Sequence, residues 1–255
     1  MRPIAAIPMN DPDGIMFPHL EAITPLLKHT FSQVFVSVPL VTQRRLPEYM
    51  FWLQSDDFFH VINHESDVTV DKDFLTLYAN AASSCDPAQI LHLCFIDRVA
   101  FALQSEYRDA FITDIQNVTP DDTPLIFQRS ELAWQTHPQN YRDLEQMVTK
   151  AGKHLFGKSL DFAWCHIAIQ AGQLLEVIPA VKSNNISFFA EIVLAARDEV
   201  KSKAVDWLAW EDPFITSRNP QELKKEREAS IRETQKRLGY VIPMLQLLVE
   251  TSKDG

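Results

Sequence analysis

The sequence predicts an α/β fold, strands in a sheet flanked by helices, on three observations. Residues 4–38 pass through strand, helix and strand patterns in turn. Residues 90–96 form a near-continuous apolar run, and residues 138–155 repeat apolar positions at three and four. Alternating strand and helix patterns of this kind are the signature of a sheet covered by helices. A strand buried on both faces reads as an unbroken apolar run, which is how 90–96 reads.

Residues 4–9 form a short apolar run that ends in polar Asn10-Asp11-Pro12-Asp13-Gly14. Phe17, Leu20, Ile23 and Leu27 follow at helical spacing, with Pro18 tolerable in a first turn. Residues 34–38 (VFVSV) are β-branched and alternating, a second strand. About 30 residues from strand to strand through a helix is the length of a right-handed parallel crossover.

Further on, 58–63 (FFHVIN) predicts a strand, 71–83 a helix and 90–96 (ILHLCFI) a central strand. A helix is expected over 100–111 and a short strand over 124–127. Tyr141, Leu144, Val148, Ala151 and Leu155 then mark a helix, with Pro138 at its first position and Gly152 or Gly157 near its end. Residues 160–171 predict a buried helix, and 174–178 a strand closed by Pro179. The tail opens on the cap Asn219-Pro220-Gln221-Glu222 and runs as a charged helix to Gly239. Its apolar residues Leu223, Ile231 and Leu238 make only a thin stripe. Residues 1–205 thus form the main domain, and 206–255 a C-terminal helical appendage packed on it.

The 255 residues are 46% hydrophobic and 23% charged, enough for a full core. A net charge of −10 disfavours general nucleic-acid binding, because such a surface repels phosphate backbones. Cys85, Cys94 and Cys165 contain no CxxC pair and fit a reducing compartment. Neither GxGxxG nor GxxxxGK[ST] occurs, against Rossmann and P-loop readings. The first eleven residues are too short in apolar content for a secretory signal, and no stretch reaches membrane-spanning length. The expectation is a soluble cytoplasmic protein with no nucleic-acid partner and no transmembrane segment.

Ligands of open α/β sheets sit beyond the carboxyl ends of the strands. Three polar clusters fall there: Asn10-Asp11-Asp13, Asp97-Arg98 and Arg129-Ser130. Asp97, directly after the apolar strand, is placed to hold a divalent cation bridging a diphosphate, or equally to cap the next helix. Arg129 is a fork donor suited to phosphate, and Trp134 could stack on a base or sugar ring. His137 precedes a helix start, where an anion is favoured; it also reads as a polar cap, with Glu145 two turns along. Asp161 is either the cap of a following helix or a carboxylate facing the same cleft as Asp97. Trp207, Trp210, Glu211 and Asp212 form an aromatic-acidic turn that could grip sugar hydroxyls or staple the tail to the body. The run 224–228 (KKERE) reads as a solvated helix face.

Ile7-Pro8-Met9-Asn10, His19-Leu20-Glu21-Ala22-Ile23 and VFVSV together resemble the opening of GT-A type nucleotide-diphospho-sugar transferases. Asp161-Phe162-Ala163-Trp164-Cys165, then Gln170-Ala171-Gly172 and residues 174–179 (LLEVIP), are similar to a later block of those enzymes. Asp97-Arg98, with Arg129-Ser130, Ala133, Thr136-His137-Pro138 and Glu145, resembles an uncharacterised glycosyltransferase-like subgroup. The likeness spans residues 3–180. It implies a GT-A-like mixed, mostly parallel sheet flanked by helices, and transfer of a sugar from a nucleotide-diphosphate donor to a hydroxyl acceptor.

In that resemblance Pro8, Asn10, Asp11, Arg98, Arg129 and Trp134 bind the sugar nucleotide, while Asp97, Asp161, His137 and Glu145 supply the chemistry, Asp161 as general base. It further implies Mg²⁺ or Mn²⁺ at Asp97, although Phe95 stands where the first acidic residue of the family's D-x-D would be. The competing expectation is a catalytically silent GT-A-like binding or scaffold protein, favoured by Phe95 and the charged tail. A nucleotidyltransferase would bring a Gly-rich basic first loop, whereas residues 10–14 are acidic.

Overall fold

Residues 4–38 build the parallel crossover: β1 (Ile4–Pro8), α1 (Phe17–Thr30) and β2 (Val34–Val38), with Ala5 facing Val34 and Pro8 facing Ser37. The computed structural model describes residues 2–64, 66 and 68–253. After β2 come two short helices, α2 (Leu40–Arg45) and α3 (Pro47–Ser55), then β3 (Phe59–Asn63) and α4 (Val70–Ser83). The central strand β4 (Ile90–Cys94) is shorter than its apolar run. Helix α5 (Ile96–Gln104) starts at once, so Asp97 lies in a first helical turn. The helix expected over 100–111 is divided at Ser105 between α5 and α6 (Arg108–Gln116).

Strand β5 (Leu125–Arg129), α7 (Glu131–Thr136) and α8 (Gln139–Phe156) follow. Pro138 precedes α8 instead of starting it, and Gly157 at φ 74° closes it, its N–H donating to Lys153 O. A left-handed residue at a helix end is where glycine carries no Cβ penalty.

Two expectations are reversed in the next stretch. Residues 166–170 form strand β6 (His166–Gln170), not a buried helix, and 171–177 form α9 (Ala171–Val177), not a strand. The sequence HIAIQ is apolar without a helical or alternating period, and such runs do not reveal their own geometry. Pairing decides it: β6 lies between β4 and β5, antiparallel to both, and is buried along its length except at Gln170. Helix α10 (Phe188–Ala195) and the edge strand β7 (Lys201–Val205) come next, then α11 (Asp212–Ile215).

The charged tail is two helices, α12 (Pro220–Ala229) and α13 (Ile231–Thr251). Asn219 caps the first by accepting from the Gln221 and Glu222 N–H groups, and Ser230 caps the second by accepting from the Glu233 N–H. Ile231 is exposed, and α13 is anchored instead by Val241, Met244 and Leu248, which join the main core beside Leu91 and Ile169. Among the described residues no helix is long and apolar enough to cross a membrane.

The seven strands lie in the order β3-β2-β1-β4-β6-β5-β7. All pairings are parallel except those of β6, so six strands point one way and β6 alone is reversed. Leu91, Leu93, Ile167 and Ile169 face one helical layer, while Ile90, Cys94 and Ala168 face the other. Helices on both faces explain why β1, β2 and β4 are buried at every position.

Gly152 tests how closely α8 meets the body. A Cβ there would meet the Phe162 ring. Alanine favours a helix over glycine by about 1 kcal/mol, but overpacking costs about 1–3 kcal/mol. Gly152→Ala is expected to lower the midpoint of chemical denaturation; a raised midpoint would refute this close packing.

Candidate functional site

The carboxyl ends of β1, β4 and β5 and the amino end of reversed β6 share one edge of the sheet, with the crevice rule favouring the β1/β4 switch. A cavity of about 330 Å³ opens at that edge beside β4, β5 and β6. Asp97, Arg98, Arg129, Glu145, Glu211 and Asp212 all line it, so six of the charged residues singled out in the sequence converge. Helix α13 supplies the facing residues Glu233, Lys236, Arg237, Tyr240, Val241 and Met244.

Most of the cavity's charges are already paired. Arg129 Nη1 donates to Glu145 Oε2 at 2.7 Å, and Arg237 Nη1 donates to Glu145 Oε1 at 2.6 Å. Arg98 is paired with Glu211, both buried. Arg227 lies 2.6 Å from Glu233 and 3.5 Å from Asp212. Tyr141 donates its hydroxyl to Glu233 at 2.6 Å, and the Arg237 guanidinium lies 3.8 Å from the Tyr141 ring centre. Among the described residues, Asp97 and Lys236 are the cavity's two charged groups without an ion-pair partner. Asp97 is half-buried and accepts only from the neighbouring Arg98 N–H, at 2.8 Å.

The remaining candidates are placed elsewhere. Asp161 is buried behind Arg129, 3.8 Å from Nη1, and accepts from the Ala163 N–H. It borders a second depression on the far side of Arg129, shared with Trp134. The Arg129 guanidinium stacks 4.2 Å from the Trp134 ring centre, a cation–π contact that occupies that aromatic face. His137 is buried outside the cavity, its Nδ1 donating to Ala133 O at 2.9 Å. Asp11 accepts from the N–H groups of Ile15, Met16 and Phe17, which ties its carboxylate to the start of α1. Pro8 is buried at the end of β1 and Asn10 is exposed; neither lines the cavity.

The titration directions separate roles. Burial pushes the Glu145 carboxyl up, but Arg129 and Arg237 more than reverse this and hold it below its ordinary value. Burial raises Asp161, with Arg129 opposing and Glu145 reinforcing the shift. Burial, then the charges of Arg129 and Arg98, drives His137 well below the usual imidazole range, so it stays neutral. Glu145 is therefore a fixed anion between two arginines, and His137 cannot serve as a charged acid.

The polar contributors not anticipated are Tyr141, which reads as an apolar helix position, Arg227, which reads as part of a solvated face, and Glu233, Lys236 and Arg237. For Glu233 and Arg237 the signal is a face of α13 at three- and four-residue spacing, with Tyr240, Val241 and Met244; Tyr141 and Arg227, on other helices, carry no such signal. Ser37, His64 and Asp73 also meet, but His64 Nε2 faces both Ser37 Oγ (2.9 Å) and Asp73 Oδ1 (2.7 Å). A nucleophile triad uses the two different ring nitrogens, so this cluster ties β2 to α4 and lacks triad geometry.

Breaking a buried charge pair by removing one partner costs about 3–5 kcal/mol, because the other charge stays desolvated. Glu145→Ala is expected to destabilise the protein by about that much in urea unfolding. Glu145 has a lowered folded value, so its stabilisation is complete above the ordinary carboxyl value of 4.5 and is lost as pH falls through the folded value. The gap between the native protein and Glu145→Ala should thus be flat above about pH 6 and narrow below about pH 4.5; a pH-independent gap would refute the linkage. Compared with known proteins, the chain matches no family model, no curated protein and no solved structure.

Proposed function

We propose that this protein is a glycosyltransferase-like enzyme that binds a nucleotide-diphosphate sugar at the β4–β5–α13 cavity and transfers the sugar to a hydroxyl acceptor. The observation that carries the reading is the meeting of Asp97 and Arg129 in one cavity at the carboxyl edge of the sheet. A volume of about 330 Å³ lies within the range of small-molecule pockets. Lys236, the unpaired cation, supplies charge for the diphosphate, and Arg129 and Arg237 are held rigid by Glu145 so that their remaining N–H donors point without reorganisation.

In this reading Asp97 takes the base or hydroxyl-orienting role, because it is the carboxylate that is open to the cavity and unpaired. Asp161, Glu145 and His137 act as supports: the first lies behind Arg129, the second is bound by two arginines, and the third is neutral and buried. The donor set does not suit a dedicated Mg²⁺ or Mn²⁺ site. Asp97 is joined by the apolar Phe95, and among the described residues no group of three His, Cys, Asp or Glu side chains gathers there. No step is therefore assigned to a metal.

A second reading, a binding module without turnover, is favoured by the pairing of Arg98, Arg129, Arg227 and Arg237 with carboxylates. Thermal-shift measurements against UDP-, GDP- and CDP-sugars, with and without Mn²⁺, test both. At a hundred times the dissociation constant a true ligand stabilises by about 2.7 kcal/mol. Stabilisation by one donor class, little changed by Mn²⁺ and weakened at least tenfold in affinity by Lys236→Ala, supports the site. Donor turnover lost in Asp97→Ala supports the enzyme, and binding without turnover supports the module. A flat response across the panel would falsify the sugar-nucleotide reading.

A further inference from the structure

Away from the cavity, β4 and β6 bring three ligand-type side chains to one face of the sheet. Cys94 stands directly opposite His166, and His92 lies two residues along the same strand, so all three project into the α1–α5–α6 layer. They are at most 1% exposed. One ligand atom from each lies within 4.8 Å of the others, and His92 Nε2 is 2.8 Å from His166 Nδ1. That contact shares one proton between two rings. The outer nitrogens, His92 Nδ1 and His166 Nε2, are buried with no partner. With no partner fixing either outer nitrogen, each ring is free to carry its proton on the outside and turn its inner lone pair to one ion.

We propose that His92, Cys94 and His166 hold a single monovalent soft cation, with the chemistry of Cu⁺, in a three-coordinate site of two nitrogens and one sulfur. Thiolate and imidazole are the ligands that select such ions. Charge decides between Cu⁺ and Zn²⁺. One thiolate with Cu⁺ is neutral, whereas Zn²⁺ would leave a net positive charge among Phe31, Phe111, Phe127 and Trp207. Zn²⁺ also demands a fourth ligand, and this aromatic wall offers none.

A neutral imidazole carries one N–H and one lone pair, so the two rings hold one proton in the shared contact and one on an outer nitrogen. An apolar surround keeps a metal-free thiol as S–H. On binding, the S–H bond breaks and a Cu–S bond forms, the shared ring proton moves to the outer nitrogen of the ring that donated it, and one net proton, from the thiol, leaves per ion bound. No electron is transferred. Bonds of about 2.0–2.3 Å place three trigonal ligand atoms about 3.5–4 Å apart. The close His–His contact therefore opens by less than about 1 Å, and the ion replaces the shared proton between the rings.

The test is anaerobic titration of the full chain with Cu⁺ against a chromophoric Cu⁺ chelator. It uses a Cys85→Ser/Cys165→Ser background that removes the other thiols. The expected result is one Cu⁺ retained per chain, with affinity reduced at least a hundredfold in Cys94→Ala and in His166→Phe, and Zn²⁺ not retained. X-ray absorption on the loaded protein, which needs no core variant to fold, is expected to show two nitrogen scatterers and one sulfur. Failure to retain Cu⁺, undiminished retention in a folded Cys94→Ala, preference for Zn²⁺, or a sulfur-free absorption spectrum overturns the proposal.

Discussion

One buried carboxylate joins three parts of this molecule. Glu145 on α8 accepts from Arg129 at the end of β5 and from Arg237 on α13, so sheet, middle helix and terminal helix meet at a single side chain. Burying Glu145, Arg129 and Asp161, with Arg237 half-buried beside them, carries a desolvation cost that hydrophobic replacements of similar shape would avoid. What the charged arrangement provides is direction. Two guanidinium groups are locked in place at a cavity edge, one of them flattened on Trp134 and the other on Tyr141. Apolar side chains would close the same space and leave nothing for a polar ligand to meet.

The reversed strand explains why so many polar residues reach this edge. Six parallel strands deliver their chain exits to one side of the sheet, and the entry to β6 arrives at that same side. Cys165 and Ala163 therefore border a cavity that Asp97 and Arg129 approach from strand exits. Had β6 run with its neighbours, the loop carrying Asp161 would lie at the opposite end of the sheet, and Arg129 would have lost one of its two carboxylate neighbours.

The opening crossover, the central strand and the long helix from residue 139 were legible because each carries a clean period or an unbroken apolar run bounded by proline or glycine. Residues 160–178 were not. HIAIQ and AGQLLEV are both short and apolar, and only the antiparallel pairing with β4 and β5, a long-range fact, separates strand from helix. Strand β7 (KSKAV) was missed because an edge strand with exposed lysines has no burial pattern to announce it. At the site, Asp97 and Arg129 could be found from their strand-end positions. Arg227 could not, since a charged residue on a helix looks alike whether it faces water or a carboxylate of another segment.

The cavity's walls come from chain segments far apart in order: residues 95–98 on one side and 233–244 on the other. During synthesis, a nascent chain that has emerged as far as β7 has every strand of the sheet and no enclosed cavity. Val241, Met244 and Leu248 have yet to cover the hydrophobic layer around Leu91 and Ile169, and Glu145 has only one of its two cations. The cavity is consequently completed late, after the sheet itself has been made.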